Sequence, residues 1–222
     1  MKPFAFPASM AATILLLAAP NVTHADCPLS LYRFGAGPAF ESSTQTQSFS
    51  FGSPGSCDSG SASWDLSVGK LALALKPCAR DSAKCRIRDT FVINEGYGLP
   101  AGTPVQVYVL LDWATSSTEP CGLNGCQVKH TVVVRAGANA DSATYTQPFV
   151  STAAIAYHAI IGQPFDVSAM LAIEAPEGGE GHSTGDLRFH MQFGTLSSCN
   201  GYNEQPTPAT RTSWGRLRVA YR

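Results

Sequence analysis

The run Leu187-Arg188-Phe189-His190-Met191-Gln192-Phe193 alternates apolar and polar residues without a break, and Leu217-Arg218-Val219-Ala220-Tyr221-Arg222 repeats the pattern. Side chains of an extended chain point alternately to opposite faces, so such a run has one buried face and one wet face. Val105–Trp113 and the β-branched run Gln127–Arg135 read the same way. Further strands are expected at 46–51, 62–67, 70–75, 86–93, 143–150 and 164–173. Glycine and proline clusters punctuate them: Gly52-Ser53-Pro54-Gly55, Gly96-Tyr97-Gly98-Leu99-Pro100, Gly137-Ala138-Asn139 and Gly178-Gly179-Glu180-Gly181. Many short strands separated by turn residues specify an all-β chain, here a single antiparallel β-sandwich of jelly-roll-like type with disulfide-stapled hairpins. The one competing helix is 151–161, where Ile155, His158 and Ala159 share a helical face, but Gly162 and Pro164 cut it short.

With 44% hydrophobic and 14% charged residues, the chain has the material for a core and is not a disordered polymer. A formal net charge of −1 lacks the basic excess of a nucleic-acid binder. Residues 1–25 read as a secretory signal peptide: Lys2, an apolar run from Met10 to Ala19, and Thr23-His24-Ala25 as the cleavage site. Asp26 before Cys27 is not the small residue a lipobox requires. No later apolar stretch is long enough to span a membrane, so residues 26–222 are expected to form one secreted domain, extracellular or periplasmic.

All seven cysteines lie beyond the signal segment, where export makes disulfides the default. Cys78 and Cys85 bracket a polar turn, as do Cys121 and Cys126, so each pair is expected to staple its own hairpin. Of the remaining Cys27, Cys57 and Cys199, the pair Cys27–Cys199 is favoured because domain termini often meet, leaving one odd thiol. Zinc is disfavoured, since the spacings are not Cys-x2-Cys and no histidine stands at ligand distance.

Catalytic signatures are absent. There is no Gly-x-Ser-x-Gly elbow, no His-Glu-x-x-His, and no dinucleotide or P-loop fingerprint. A β-sandwich glycosidase needs two neighbouring carboxylates, yet no strand carries Glu-x-Asp or Glu-x-Glu, and Asp65, Asp89, Asp112 and Asp166 occur singly. The segment Glu174–Asp186 concentrates Glu174, Glu177, Glu180 and Asp186 in a glycine-rich stretch, which is expected to be a solvated acidic loop with no cofactor; calcium is the alternative, although the Asp-x-Asp-x-Asp-Gly spacing is missing. Trp64, Trp113 and Trp214, with Tyr97 and Tyr202 in loops, are the candidates for stacking on sugar rings, with core packing as the competing role of each tryptophan.

The order of segments adds a resemblance. Ser61–Leu71, Arg88-Asp89-Thr90-Phe91-Val92-Ile93, Leu99-Pro100-Ala101-Gly102-Thr103-Pro104-Val105, Gly162-Gln163-Pro164-Phe165-Asp166-Val167 and Ser197-Ser198-Cys199-Asn200-Gly201-Tyr202 follow one another as in a loose class of secreted bacterial β-sandwich proteins. Many members of that class carry a sorting tail of the PEP-CTERM type. The resemblance spans about residues 60–202 and implies an exported, non-enzymatic protein of the cell envelope or extracellular matrix. This chain departs from it in its cysteines and in lacking the tail, which points to a soluble form. The expected function is therefore interaction or structure at the envelope. The alternative is a carbohydrate-binding module, calcium-assisted or not, and a polysaccharide-acting enzyme stands third. The expected partner is an extracellular polymer or glycan.

Overall fold

A computed structural model describes residues 27–52, 57–96, 98–118, 127–192 and 194–202. The expected signal peptide at 1–25, Tyr97, Cys121, Cys126, Trp214 and the strand expected at 217–222 lie outside these residues. Among the described residues thirteen strands follow one another: β1 (Ser30–Phe34), β2 (Phe40–Ser42), β3 (Thr46–Phe51), β4 (Ser59–Asp65), β5 (Lys70–Lys76), β6 (Asp81–Asn94), β7 (Pro104–Thr118), β8 (Lys129–Ala136), β9 (Asn139–Tyr145), β10 (Phe149–Ile160), β11 (Pro164–Ala175), β12 (Glu180–Met191) and β13 (Thr195–Ser198). In place of the competing helix, residues 151–160 are strand, as part of β10, and their alternate residues Ala153, Ile155 and Ala159 face the core, with Ile161 in the turn that follows.

The strands form two antiparallel sheets packed as a sandwich. One runs β2-β1-β6-β11-β8-β9, with β13 also on β6; the other runs β10-β7-β12-β5-β4-β3. Alternation is strict: Val107, Val109, Leu111 and Trp113 on β7 are buried, as are Val167, Ala169, Leu171 and Ile173 on β11. Each fully buried valine, leucine or isoleucine among them contributes about 1.5–3 kcal/mol. The open edges are closed by rings. Tyr32 of one sheet stacks on Phe49 of the other at 4.6 Å, and Tyr145 stacks on Phe149 at 4.4 Å across the opposite edge. At the β4–β5 turn Gly69 has φ +71°, and a Cβ there would lie 2.4 Å from the Leu187 carbonyl oxygen, so the turn and its approach to β12 require glycine.

The disulfides correct one expectation. Cys78 pairs with Cys57, not with Cys85. The β4–β5 ladder pairs Ser59 with Lys76, and continuing that register beyond the strands brings Cys57 opposite Cys78, with 4.8 Å between their Cα atoms. Cys85 instead lies within β6, pointing inward between Ala83 and Ile87. It is a free, buried thiol, pushed up to about 12 by burial. A thiol held neutral and out of solvent is unreactive. Alkylation of the native protein is therefore expected to leave Cys85 unmodified, and alkylation after denaturation to label it; peptide mapping reads the difference.

Cys27–Cys199 forms as expected. Strands β1 and β13 lie on the same edge of β6, with Leu31 opposite Arg86 and Ser198 opposite Phe91, so the two short strands meet end to end. The disulfide closes this junction, and the Cys199 amide donates to the Thr90 carbonyl oxygen. Asp89 sits buried at the same place and accepts from the amides of Thr90 and Asn200. Burial pushes its carboxyl up from the usual range, while hydrogen bonds from Ser198, Asn200 and Thr90 pull it back. Disulfides of this kind belong to an oxidising compartment. Among the described residues no helix is long and apolar enough to cross a membrane.

Candidate binding face

The sequence candidates separate once placed. Trp64 and Trp113 are 2% and 3% exposed and pack between the sheets, and Tyr202, 5% exposed, donates its hydroxyl to the Leu187 carbonyl oxygen. These side chains build the core and offer no ring face to a ligand. Alternation accounts for it: Trp113 shares its strand face with Val107, Val109 and Leu111, and Trp64 shares its face with Ala62.

The acidic stretch is not a loop. Glu174 is the penultimate residue of β11, Glu177 lies in the turn, Glu180 opens β12, and Asp186 follows about 20 Å further along that strand. The four carboxylates therefore do not converge on one cation. Among the described residues no three His, Cys, Asp or Glu side chains are grouped to hold a metal ion. Gly181 and Gly185, which suggest a loop in sequence, occupy inward strand positions, where a Cβ would lie 2.8 Å from Ile173 and 2.7 Å from Leu71 respectively. Glu180 pairs with His182 at 2.8 Å and with Lys76 at 3.5 Å. The His182 hydrogen bond holds Glu180 below the usual carboxylate range against a smaller effect of burial, and the Lys76 charge adds to it.

What the fold does assemble is the outer face of the six-stranded sheet. Register aligns one row across all six strands: Thr46, Asp65, Lys70, Asp186, Asp112 and Thr152, each directly opposite the next. At about 4.8 Å between strands the row is about 24 Å long. The neighbouring row carries only short side chains up to the edge strand: Ser48, Ser63, Ala72, Thr184 and Ala114. A polar ridge thus borders a low floor, and the two enclose an open groove of about 610 Å³.

Asp112 and Asp186 are opposed directly, a like-charge pair that would be unfavourable alone. Arg188 offsets it. Its Nη2 donates to Asp186 Oδ2 at 3.0 Å, and its Nε lies 3.4 Å from Asp112 Oδ2. Thr152 donates its hydroxyl to the other Asp112 oxygen, and Ser67 donates both its amide and hydroxyl to Asp65. The polar groups are therefore fixed before any ligand arrives.

Arg188, on the rim of this groove, is directly opposite Leu110, which lines a second, apolar trough of about 690 Å³ with Leu99, Val105, Tyr108 and His190. Tyr108 is 40% exposed, and its ring centroid lies 6.3 Å from that of His190. Tyr108 lies about 13 Å from Asp112 along β7, on the same face. Neither feature has a signature within one strand: Asp112 and Asp186 meet across two strands, not along one. The core role that competes for each tryptophan holds for Trp64 and Trp113, and the ring exposed on the outward face of β7 is Tyr108, whose strand neighbours Gln106 and Leu110 share that face.

No protein-family model matches this chain, and no curated protein does. Among solved structures, that of TmCBM61 in complex with β-1,4-galactotriose is similar over 55% of this chain and 70% of that one, at 19% identity and a TM-score of 0.32. A likeness of that size does not bear on what this chain binds.

Proposed function

We propose that this chain is an exported, non-catalytic β-sandwich that binds an extracellular glycan along the outer face of its six-stranded sheet. The observation carrying this reading is that the exposed Tyr108 ring and the fixed Asp112–Arg188–Asp186 cluster stand on the same outer face of β7 and β12, about 13 Å apart. A pyranose ring has an apolar face and a rim of hydroxyls. The first stacks on an aromatic ring; the second exchanges hydrogen bonds with carboxylate and guanidinium groups. The groove is shallow, floored by short side chains and crossed by six strands, so it fits an extended polymer better than a compact small molecule.

The Asp112–Asp186 pair has Cβ atoms about 4.5–5.5 Å apart, close to the carboxylate spacing of a retaining glycosidase. Arg188, however, bridges the two carboxylates, in the space a scissile bond would need. This favours binding over hydrolysis.

Affinity electrophoresis against neutral β-linked glucan, xylan, mannan and galactan tests the reading. At least one polymer is expected to retard the protein, and Tyr108→Ala or Asp112→Asn is expected to weaken that binding at least about tenfold, equivalent to about 1.4 kcal/mol. Retardation by none of them, or retardation unchanged in both variants, would reject the site. Release of reducing ends from the same polymers would make the chain an enzyme.

A further inference from the structure

The outer face of the other sheet has a different character. Strand β6 points Lys84, Arg86 and Arg88 outward at alternate positions, about 6.7 Å apart. Arg33 of β1 lies directly opposite Lys84, and Arg135 of β8 lies across Ser168 from Arg88, two strand spacings or about 10 Å away. The carboxylates at outward positions of the same sheet are fewer: Glu41 at the edge, Glu174 opposite Lys129, and Asp166. Asp166 is engaged with Arg88 at 2.8 Å and with the Thr90 hydroxyl at 2.7 Å. Burial pushes its carboxyl up, but those hydrogen bonds and the Arg88 charge outweigh it and leave it below the usual range.

Arg86 and Arg135 have no ion-pair or hydrogen-bond partner among the described residues, and the Nε of Arg86 is buried without one. Together with Arg88 they border a groove of about 340 Å³. A directly opposed like-charged pair such as Arg33 and Lys84 is unfavourable in a sheet, so the folded chain holds this positive strip at a cost that an anionic ligand would relieve.

We infer that this face is a second binding surface, and that its occupant is a linear polysaccharide carrying carboxylate groups, a polyuronate. Charge complementarity sets the sign, and the separation of the cations along and across the strands calls for a polymer rather than one small anion. Asp166 on Arg88 shows the pairing a carboxylate makes on this face, and planar guanidinium groups suit planar carboxylates. The outward positions of β6, β11 and β8 carry no aromatic ring, so there is no platform on which the bases of single-stranded nucleic acid would stack. The surface lies on the sheet opposite the trough and does not depend on that reading.

The test is affinity electrophoresis and calorimetry with polygalacturonate at low salt. The parent is expected to bind and to weaken steeply as salt rises. The double variant Arg86→Gln/Arg135→Gln is expected to bind at least tenfold more weakly and with a smaller salt dependence, its circular dichroism unchanged. Arg135→Gln alone, at an exposed position, is expected to show part of the same loss and serves if the double variant does not fold. Polygalacturonate binding unaffected by these substitutions would overturn the inference. So would equal affinity for dextran sulfate, which carries sulfate esters and no carboxylate, or for single-stranded DNA, either of which would make the face a non-selective polyanion surface.

Discussion

Replacing Cys27 and Cys199 by serine is expected to destabilise the protein by about 5 kcal/mol, the largest effect of any change considered. The two residues are separated by 172 positions, so the link closes most of the domain into one loop. In the chain-entropy model the stabilisation grows with the logarithm of loop length, which gives about 5 kcal/mol here and about 3 kcal/mol for Cys57–Cys78, whose separation is 21. The Cys57–Cys78 loop lies inside the longer one, but shortening the effective loop by that much hardly changes a logarithm. A local consequence follows as well. Without the link, the junction of β1 and β13 rests on the short ladders on β6, the Cys199 amide's bond to Thr90 and the Asn200 contacts to Asp89 and Pro28. Denaturant unfolding of the double serine variant under non-reducing conditions measures the loss. A change below about 1 kcal/mol would mean that the termini are not joined in the folded protein.

The same junction shows what could and could not be read from sequence. The strands at 46–51, 70–75, 105–113 and 164–173 are legible because their apolar residues recur at every second position. The placement of Cys85 was legible too. Ala83, Cys85 and Ile87 alternate with Lys84, Arg86 and Arg88, which is a strand with its cysteine turned inward, but the polar composition of residues 79–84 reads as a turn. Tyr108 could likewise be assigned outward from its parity with Gln106 and against Val107 and Val109. The Cys57–Cys78 pair follows from the β4–β5 register, which needs the position of the turn as well as the strands.

The binding face is a different matter. Asp65, Lys70, Asp186, Asp112 and Thr152 come from five strands and align only through pairings distant in the chain. Alternation specifies which face of a strand is wet, but it carries no information on which strand lies beside it. That is why the Asp112–Arg188–Asp186 cluster had no signal in a single sequence.

Acidification from pH 7 to pH 4 is expected to lower the unfolding free energy by about 3 kcal/mol through one residue, His130. Its ring lies between the sheets, fully buried, with Nδ1 hydrogen-bonded to the Ser183 hydroxyl at 2.8 Å and Nε2 without a partner. Ile173 and Tyr145 are opposite it on the flanking strands, and Gly181 of the facing sheet leaves the space its ring occupies. Burial is the main reason the imidazole is pushed down to about 4, and the charge of His182 adds to it. In the unfolded chain the same group titrates near 6.5. Between those two values the unfolded state binds a proton that the folded state refuses, so stability rises with pH across the window. It is complete above about pH 6.5 and lost as the pH falls toward 4, after which both states are protonated and the penalty stops growing. Each unit of difference is worth about 1.4 kcal/mol, which sets the size of the effect. Removing only the histidine would strand the Ser183 hydroxyl in the core, so the informative variant is His130→Leu/Ser183→Ala, which replaces both partners by apolar groups. Urea midpoints at pH 7, 5.5 and 4 should fall steeply in the parent and much less in the variant. Equal pH dependence in the two proteins would show that His130 is not held neutral between the sheets.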